Sequence, residues 1–160
     1  PSPCEAPRGR NSRRTRASTC SDSVSPAMSD AGATPAGCVL GVGTATLDIV
    51  NEVATYPQED AEVRALGQRQ MRGGNVTNSL VVLSQLGHPC AWAGTLGDDP
   101  ASALILTDLD RHGVDTRLVV RHPGRFTPTS YIALSRATGT RTIVHHRDLP
   151  ELAPSDLAAG

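Results

Sequence analysis

The sequence predicts an α/β fold in which a parallel sheet is covered by helices on both faces and a smaller sheet projects from it. Three observations predict it. Strand-like apolar runs alternate with helical patterns from residue 38 to residue 113, the order of a parallel sheet with crossover helices. The runs at 38–43 and 89–96 have the profile of buried core strands. The segments at 47–54 and 61–71 read as more exposed strands outside that alternation, and they suit a separate small sheet.

The elements follow in order. Cys38-Val39-Leu40-Gly41-Val42-Gly43 is a short apolar run ending in glycines. Residues 47–54 alternate in part, and Tyr56-Pro57 ends them. Residues 61–71 give a further exposed strand. After Arg72-Gly73-Gly74-Asn75, Val76, Leu80, Leu83 and Leu86 recur at helical spacing with Val82 alongside, and Gly87 stands where a helix ends. The strand at 89–96 follows. Asp98-Asp99-Pro100 then provides an N-cap with proline in the first turn. The next helix runs through Ala103, Leu104, Leu106 and Leu109 to Gly113. Residues 116–121, 128–135 and 140–146 read as strands, and Pro154-Ser155-Asp156 opens a last helix that the chain end cuts off.

Residues 1–37 hold five Arg against three acids and almost no large apolar groups, so they cannot bury enough surface to offset their ordering entropy. They are expected to be a disordered tail, with Met28 as the true start. Residues 38–160 form the ordered part. The formal net charge is −1, and the basic excess sits in the tail, which argues against a nucleic-acid surface.

Every basic residue other than His is Arg. Without Lys there is no Walker-type phosphate loop and no Schiff-base chemistry. Cys4, Cys20, Cys38 and Cys90 form no C-x-x-C pair and read as free thiols of a cytosolic protein. No apolar stretch reaches the roughly 18 residues of a membrane span. The start lacks the apolar core of a signal peptide. A cytoplasmic location is expected.

The sharpest motif is Arg72-Gly73-Gly74-Asn75-Val76-Thr77-Asn78. Two glycines let backbone approach a ligand closely. They lead into a helix whose free N–H groups favour electron-rich partners. Asn75 and Asn78, three apart, are expected on one side of the first turn, where carboxamides that donate and accept suit a polyhydroxylated ligand. Asp48 stands just beyond the first strand, where α/β sheets place ligand sites, and its carboxylate can accept from two adjacent hydroxyls. Gly41-x-Gly43 does not open a dinucleotide site, because Thr46 replaces the third glycine and a strand follows. His145 and His146 do not chelate one metal ion, because strand neighbours point to opposite faces.

The ordered set Gly41-x-Gly43, Leu47-Asp48, Arg72-Gly73-Gly74-Asn75-x-x-Asn78 and Gly94-x-x-Gly97-Asp98 resembles the N-terminal half of the ribokinase (PfkB) family of carbohydrate kinases. Tyr56-Pro57, Glu59-Asp60, Glu62-Val63-Arg64, Leu83-Ser84 with Leu86-Gly87, and Gly139-Thr140-Arg141-Thr142-Ile143 are similar to the ketohexokinases of that family. The resemblance runs from about residue 38 to residue 152.

The resemblance implies ribokinase-like αβα layers with a projecting β-sheet lid, built from 47–54, 61–70 and 128–135 and incomplete because a C-terminal half is absent. It implies that Asp48, Gly74, Asn75 and Asn78 hold the sugar, and that Asp60 reaches the sugar site of a partner subunit through the lid in a homodimer. It also implies that Arg141 approaches the phosphates of ATP, with Mg²⁺ bridging them. The expected activity is ATP-dependent phosphorylation of a sugar hydroxyl, with a ketohexose such as fructose as substrate. A 2-keto-3-deoxy sugar acid or a nucleoside is the alternative substrate. A catalytically inactive sugar-binding or dimerisation module is the alternative function.

The family's second signature, a D-T-x-G-A-G-D-like loop at a helix start, does not occur in these 160 residues. Its final Asp is the general base. No residue of this chain is therefore assigned a catalytic role, and most of the nucleotide site is expected elsewhere.

Overall fold

The computed structural model describes residues 37–157. The expected disordered tail, Gly37 apart, and residues 158–160 lie outside them.

Three strands, β1 (Val39–Val42), β4 (Cys90–Gly97) and β5 (Val114–His122), form a parallel sheet in the order β1-β4-β5. Helix α1 (Asn75–Gln85) precedes β4, and α2 (Pro100–Arg111) links β4 to β5. Parallel strands need such crossovers, and a right-handed crossover at each step puts both helices on one face. Leu80 and Val81 of α1, Ile105 and Leu109 of α2, and Cys90, Trp92 and Leu96 of β4 accordingly share one core cluster. All eight residues of β4 are buried, as befits the central strand of a parallel sheet.

Only one face of this sheet carries helices among the described residues, where both were expected. On the other face Leu40 and Val42 are 49% and 51% exposed. Beside them the 147–152 segment covers part of β4, and Pro150 O accepts from Thr95 Oγ1 at 3.1 Å.

The second sheet has four strands in the order β3-β2-β6-β7: β3 (Gly67–Gly73), β2 (Thr46–Val53), β6 (Thr129–Ser135) and β7 (Arg141–His146). β2 and β6 run parallel in the middle, with antiparallel β3 and β7 outside them. The strand at 140–146, not assigned to the small sheet from sequence, is thus its fourth member. The strand expected at 61–71 begins only at Gly67. Its partner β2 supplies paired backbone no further than Glu52, opposite Gly67, and Leu66 N–H closes the ladder on Glu52 O at 2.7 Å.

Helix ends follow the expected chemistry, whereas the helix faces are rotated. Asp99 caps α2 by accepting from Ser102 N–H at 3.0 Å, with Pro100 at the first position. Gly87, with φ 89°, ends α1, and the His88 N–H donates to Leu83 O. Leu86 is 70% exposed and Val82 54%, while Val81 takes the core position. In α2 Ser102, Ile105 and Leu109 are buried and Ala103 is exposed. A short α3 (Pro154–Leu157) closes the described chain. No helix among the described residues is long and apolar enough to cross a membrane.

The paired glycines outside the Arg72 motif are packing devices. A side chain at Gly41 would meet Leu80 and Val76 of α1 within 2.9 Å, and one at Gly43 would meet Val76 at 2.6 Å. A Cβ at Gly94 would strike the Trp92 indole and Gly43 O, and one at Gly97 would strike the 125–127 backbone. These positions let α1 lie close on β1 and let the chain entering β6 cross the end of β4.

Candidate functional site

The site grows from the junction of β3 and α1. Gly73 ends β3 opposite Thr46, and Met71 pairs with Asp48, so Gly73 and Asp48 lie on one face of the small sheet. The Asp48 carboxylate lies over Gly73, in the space where any side chain would stand. Thr46 Oγ1 donates to Asp48 Oδ1 at 2.8 Å and fixes the carboxylate. Gly74 turns the chain from strand to helix with φ 105°, a value that favours glycine, and passes too close to Thr44 O for a Cβ. Thr77, fully buried, ties the turn by donating to Gly73 O at 2.9 Å.

Gly74 caps α1 with no side-chain hydrogen bond. The N–H groups of Asn75, Val76 and Thr77 precede the first intrahelical bond, from Asn78 N to Gly74 O. They point out of the helix start with the positive end of its dipole. A cavity of about 410 Å³ opens here, lined by Thr44, Thr46, Gly74, Asn75, Val76, His145 and Arg147.

Asn78 does not line that cavity. Its Oδ1 accepts from Arg72 Nη1 at 2.7 Å, and it faces a second cavity, of about 590 Å³, beside Asp108 and His112. The first turn therefore splits the two asparagines between two hollows, because three residues advance the helix by 300° rather than a full turn. Asp60 sits in an exposed turn with φ 59°, within the 54–66 connection. Arg141 is exposed at the start of β7, opposite Leu134, four residues from His145 and thus toward the far end of that strand. Among the described residues no group of three or more His, Cys, Asp or Glu could hold a metal ion.

Sequence reasoning missed His145 and Arg147, which line this cavity, and Ser130, whose Oγ lies 3.1 Å from His145 Nδ1. From sequence His145 reads only as a metal-ligand candidate, one that its strand neighbour His146 cannot complete. The pairing of β7 with β6 brings it to the cavity, and no local pattern encodes that pairing. The Asp98-Asp99 turn stays structural. Asp98 pairs with Arg121 at 2.9 Å, and Asp99 also accepts from Thr127 N–H and Oγ1 at 2.8 and 2.7 Å.

Comparison with known proteins bears on the family and the fold. Residues 39–153 match the pfkB family of carbohydrate kinases. The chain is 39% identical over 119 residues to ketohexokinase from Mus musculus, covering 74% of this chain and 40% of that protein. It superposes on Arabidopsis thaliana ribokinase complexed with ribose and ATP with TM-score 0.61 and 27% identity, over 68% of this chain and 35% of that one. It also superposes on a fructokinase from Xylella fastidiosa with TM-score 0.56 and 25% identity, over 69% and 32% of the two chains. The chain spans two fifths or less of the length of each of these relatives.

Proposed function

This chain belongs to the pfkB family of carbohydrate kinases, and on that premise we propose that it supplies the sugar-binding half of a kinase that transfers a phosphoryl group from ATP to a sugar hydroxyl. A ketohexose such as fructose is the leading substrate, supported by the 39% identity to mouse ketohexokinase. The observation that carries the reading is the Asp48 carboxylate poised over Gly73, beside the unpartnered amides at the start of α1. A carboxylate accepts from sugar hydroxyls, while amides and the Asn75 carboxamide donate to sugar oxygens. This pairing of acceptors and donors suits a polyol.

In this proposal Gly74 lets the sugar rest on the main chain, and Asn78 reaches it after exchanging its bond to Arg72. Arg141 meets the phosphates of ATP, whose Mg²⁺ is held largely by phosphate oxygens. The general base lies outside these residues. Asp60 reaches the sugar of a second subunit in a homodimer joined through the small sheet. The neighbouring Tyr131 and Val144, 51% and 66% exposed, support such an interface. Residues 38–160 act as the N-terminal part of one kinase domain, in the cytoplasm.

The test is steady-state kinetics of the intact kinase with fructose, ribose, a 2-keto-3-deoxy sugar acid and a nucleoside. Fructose is expected to give the highest kcat/KM. Asp48→Ala and Asn75→Ala are expected to cut sugar turnover far more than they lower the melting temperature. Unchanged sugar KM and kcat in both variants would remove the site.

A further inference from the structure

Resting on that reading, we infer that His145, oriented by Ser130, is a sugar-recognition residue that bonds a hydroxyl on the side of the site opposite Asp48. Met71, Asp48, Ser130 and His145 stand in register across the four strands of the small sheet. In-register neighbours share a face, so His145 faces the side that Asp48 faces. It lines the same cavity as Gly74 and Asn75.

Ser130, 7% exposed, lies on the strand between them. Its short side chain separates the Asp48 carboxylate from the His145 imidazole on that face. Two strand spacings separate β2 from β7, about 10 Å, which a monosaccharide ring spans with a hydrogen bond at each end.

Ser130 Oγ lies 3.1 Å from His145 Nδ1. That contact uses one ring nitrogen and leaves Nε2 for the ligand. If Ser130 donates, Nε2–H donates to the sugar. If Nδ1–H donates to Ser130, Nε2 accepts from it. A hydroxyl satisfies either state. Arg147, the guanidinium of this cavity, is already bonded to Glu151 Oε1 through Nη1 at 2.5 Å. His146 lies on the opposite face and takes no part.

The experiment compares His145→Ala, His145→Gln and Ser130→Ala with Asp48→Ala in the intact kinase, reading KM for fructose and for ATP together with melting temperature. Loss of one hydrogen bond is expected to raise the fructose KM of His145→Ala by roughly five- to tenfold, leaving the ATP KM and the melting temperature in place. His145→Gln should recover part of that loss, because a carboxamide also donates and accepts. Ser130→Ala should show a smaller rise.

An unchanged fructose KM in His145→Ala, with Asp48→Ala impaired, overturns the inference and leaves the sugar site standing. Equal losses in the Ala and Gln variants overturn it too, since shape rather than hydrogen bonding would then be at work. If Asp48→Ala is also neutral, the sugar site itself falls. Should His145→Ala fail to fold, Ser130→Ala decides: a raised fructose KM at unchanged ATP KM and melting temperature upholds the inference, and an unchanged fructose KM with Asp48→Ala impaired overturns it.

Discussion

Arg72 on β3 donates from Nε to Asp108 Oδ2 on α2 at 2.7 Å, and this bond ties the small sheet to the helix layer. The Arg72 side chain is only 8% exposed, while that of Asp108 is 31% exposed. The same guanidinium holds Asn78. Asp108→Ala would leave a nearly buried cation without its carboxylate. We expect a loss of about 1–3 kcal/mol, measured by urea denaturation, and faster amide exchange along β3. A loss confined to α2, with β3 exchange unchanged, would mean that the bond does not anchor the sheet.

Gly73 and Asp48 compete for one volume. Gly73→Ala is expected to displace the Asp48 carboxylate and raise the sugar KM of the intact kinase, as Asp48→Ala does. Because both changes act on the same group, their effects should not add. A double variant whose kcat/KM falls by the product of the two single losses would show that Gly73 acts on something else.

Gly74 is held by backbone geometry. Its φ of 105° and the approach of Thr44 O exclude a Cβ. Gly74→Ala should cost more than about 1 kcal/mol, seen as a lowered melting temperature. An unchanged melting temperature would mean that the turn relaxes freely.

Asp99 sets a pH dependence. Partial burial pushes its carboxyl pKa up, but hydrogen bonds from the Thr127 amide and hydroxyl and the Ser102 amide, with the charge of Arg121, outweigh that push and hold it below the ordinary value. Its folded pKa lies below the unfolded value of about 3.9. The stabilisation is therefore complete above the unfolded pKa and is lost as pH falls through the folded one. Asp99→Ala should cost about 1–2 kcal/mol near neutrality through loss of the cap. The gap between variant and wild type in urea should narrow below about pH 4. A gap that stays constant into strong acid would assign the effect to packing alone.

Trp92, the single tryptophan, is fully buried in the core shared with Leu80. Leu80→Ala should destabilise by about 2–5 kcal/mol. The unfolding transition followed by Trp92 emission should shift to lower urea and coincide with that seen by circular dichroism. Separate transitions would show that the helix layer and the small sheet unfold independently.

Much of the fold is legible in the chain. The apolar run at 89–96 marks the central strand, Asp99-Pro100 marks a helix start, and Gly87 marks a helix end, because burial on both faces and helix-end chemistry are local demands. Asp48 and the Gly73-Gly74-Asn75 turn are legible for a related reason: glycines at a strand-to-helix junction mark close backbone approach. The helix faces were less legible. Leu86 and Val81 are both apolar and helical, and only the direction from which β4 approaches makes Val81 the buried one.

By itself the sequence determined the type and order of the elements, the absence of a lysine-based phosphate site, and the turn that carries Asp48's neighbours. These follow from side-chain period, backbone freedom and charge, which act over a few residues. The tertiary structure alone decided that β2 pairs in parallel with β6, more than seventy residues away. It also brought β7 into the small sheet, sent Asn75 and Asn78 to different cavities, and set His145 in register with Asp48. Those outcomes depend on which distant backbones share a hydrogen-bond ladder, and a ladder's register is a property of two strands together.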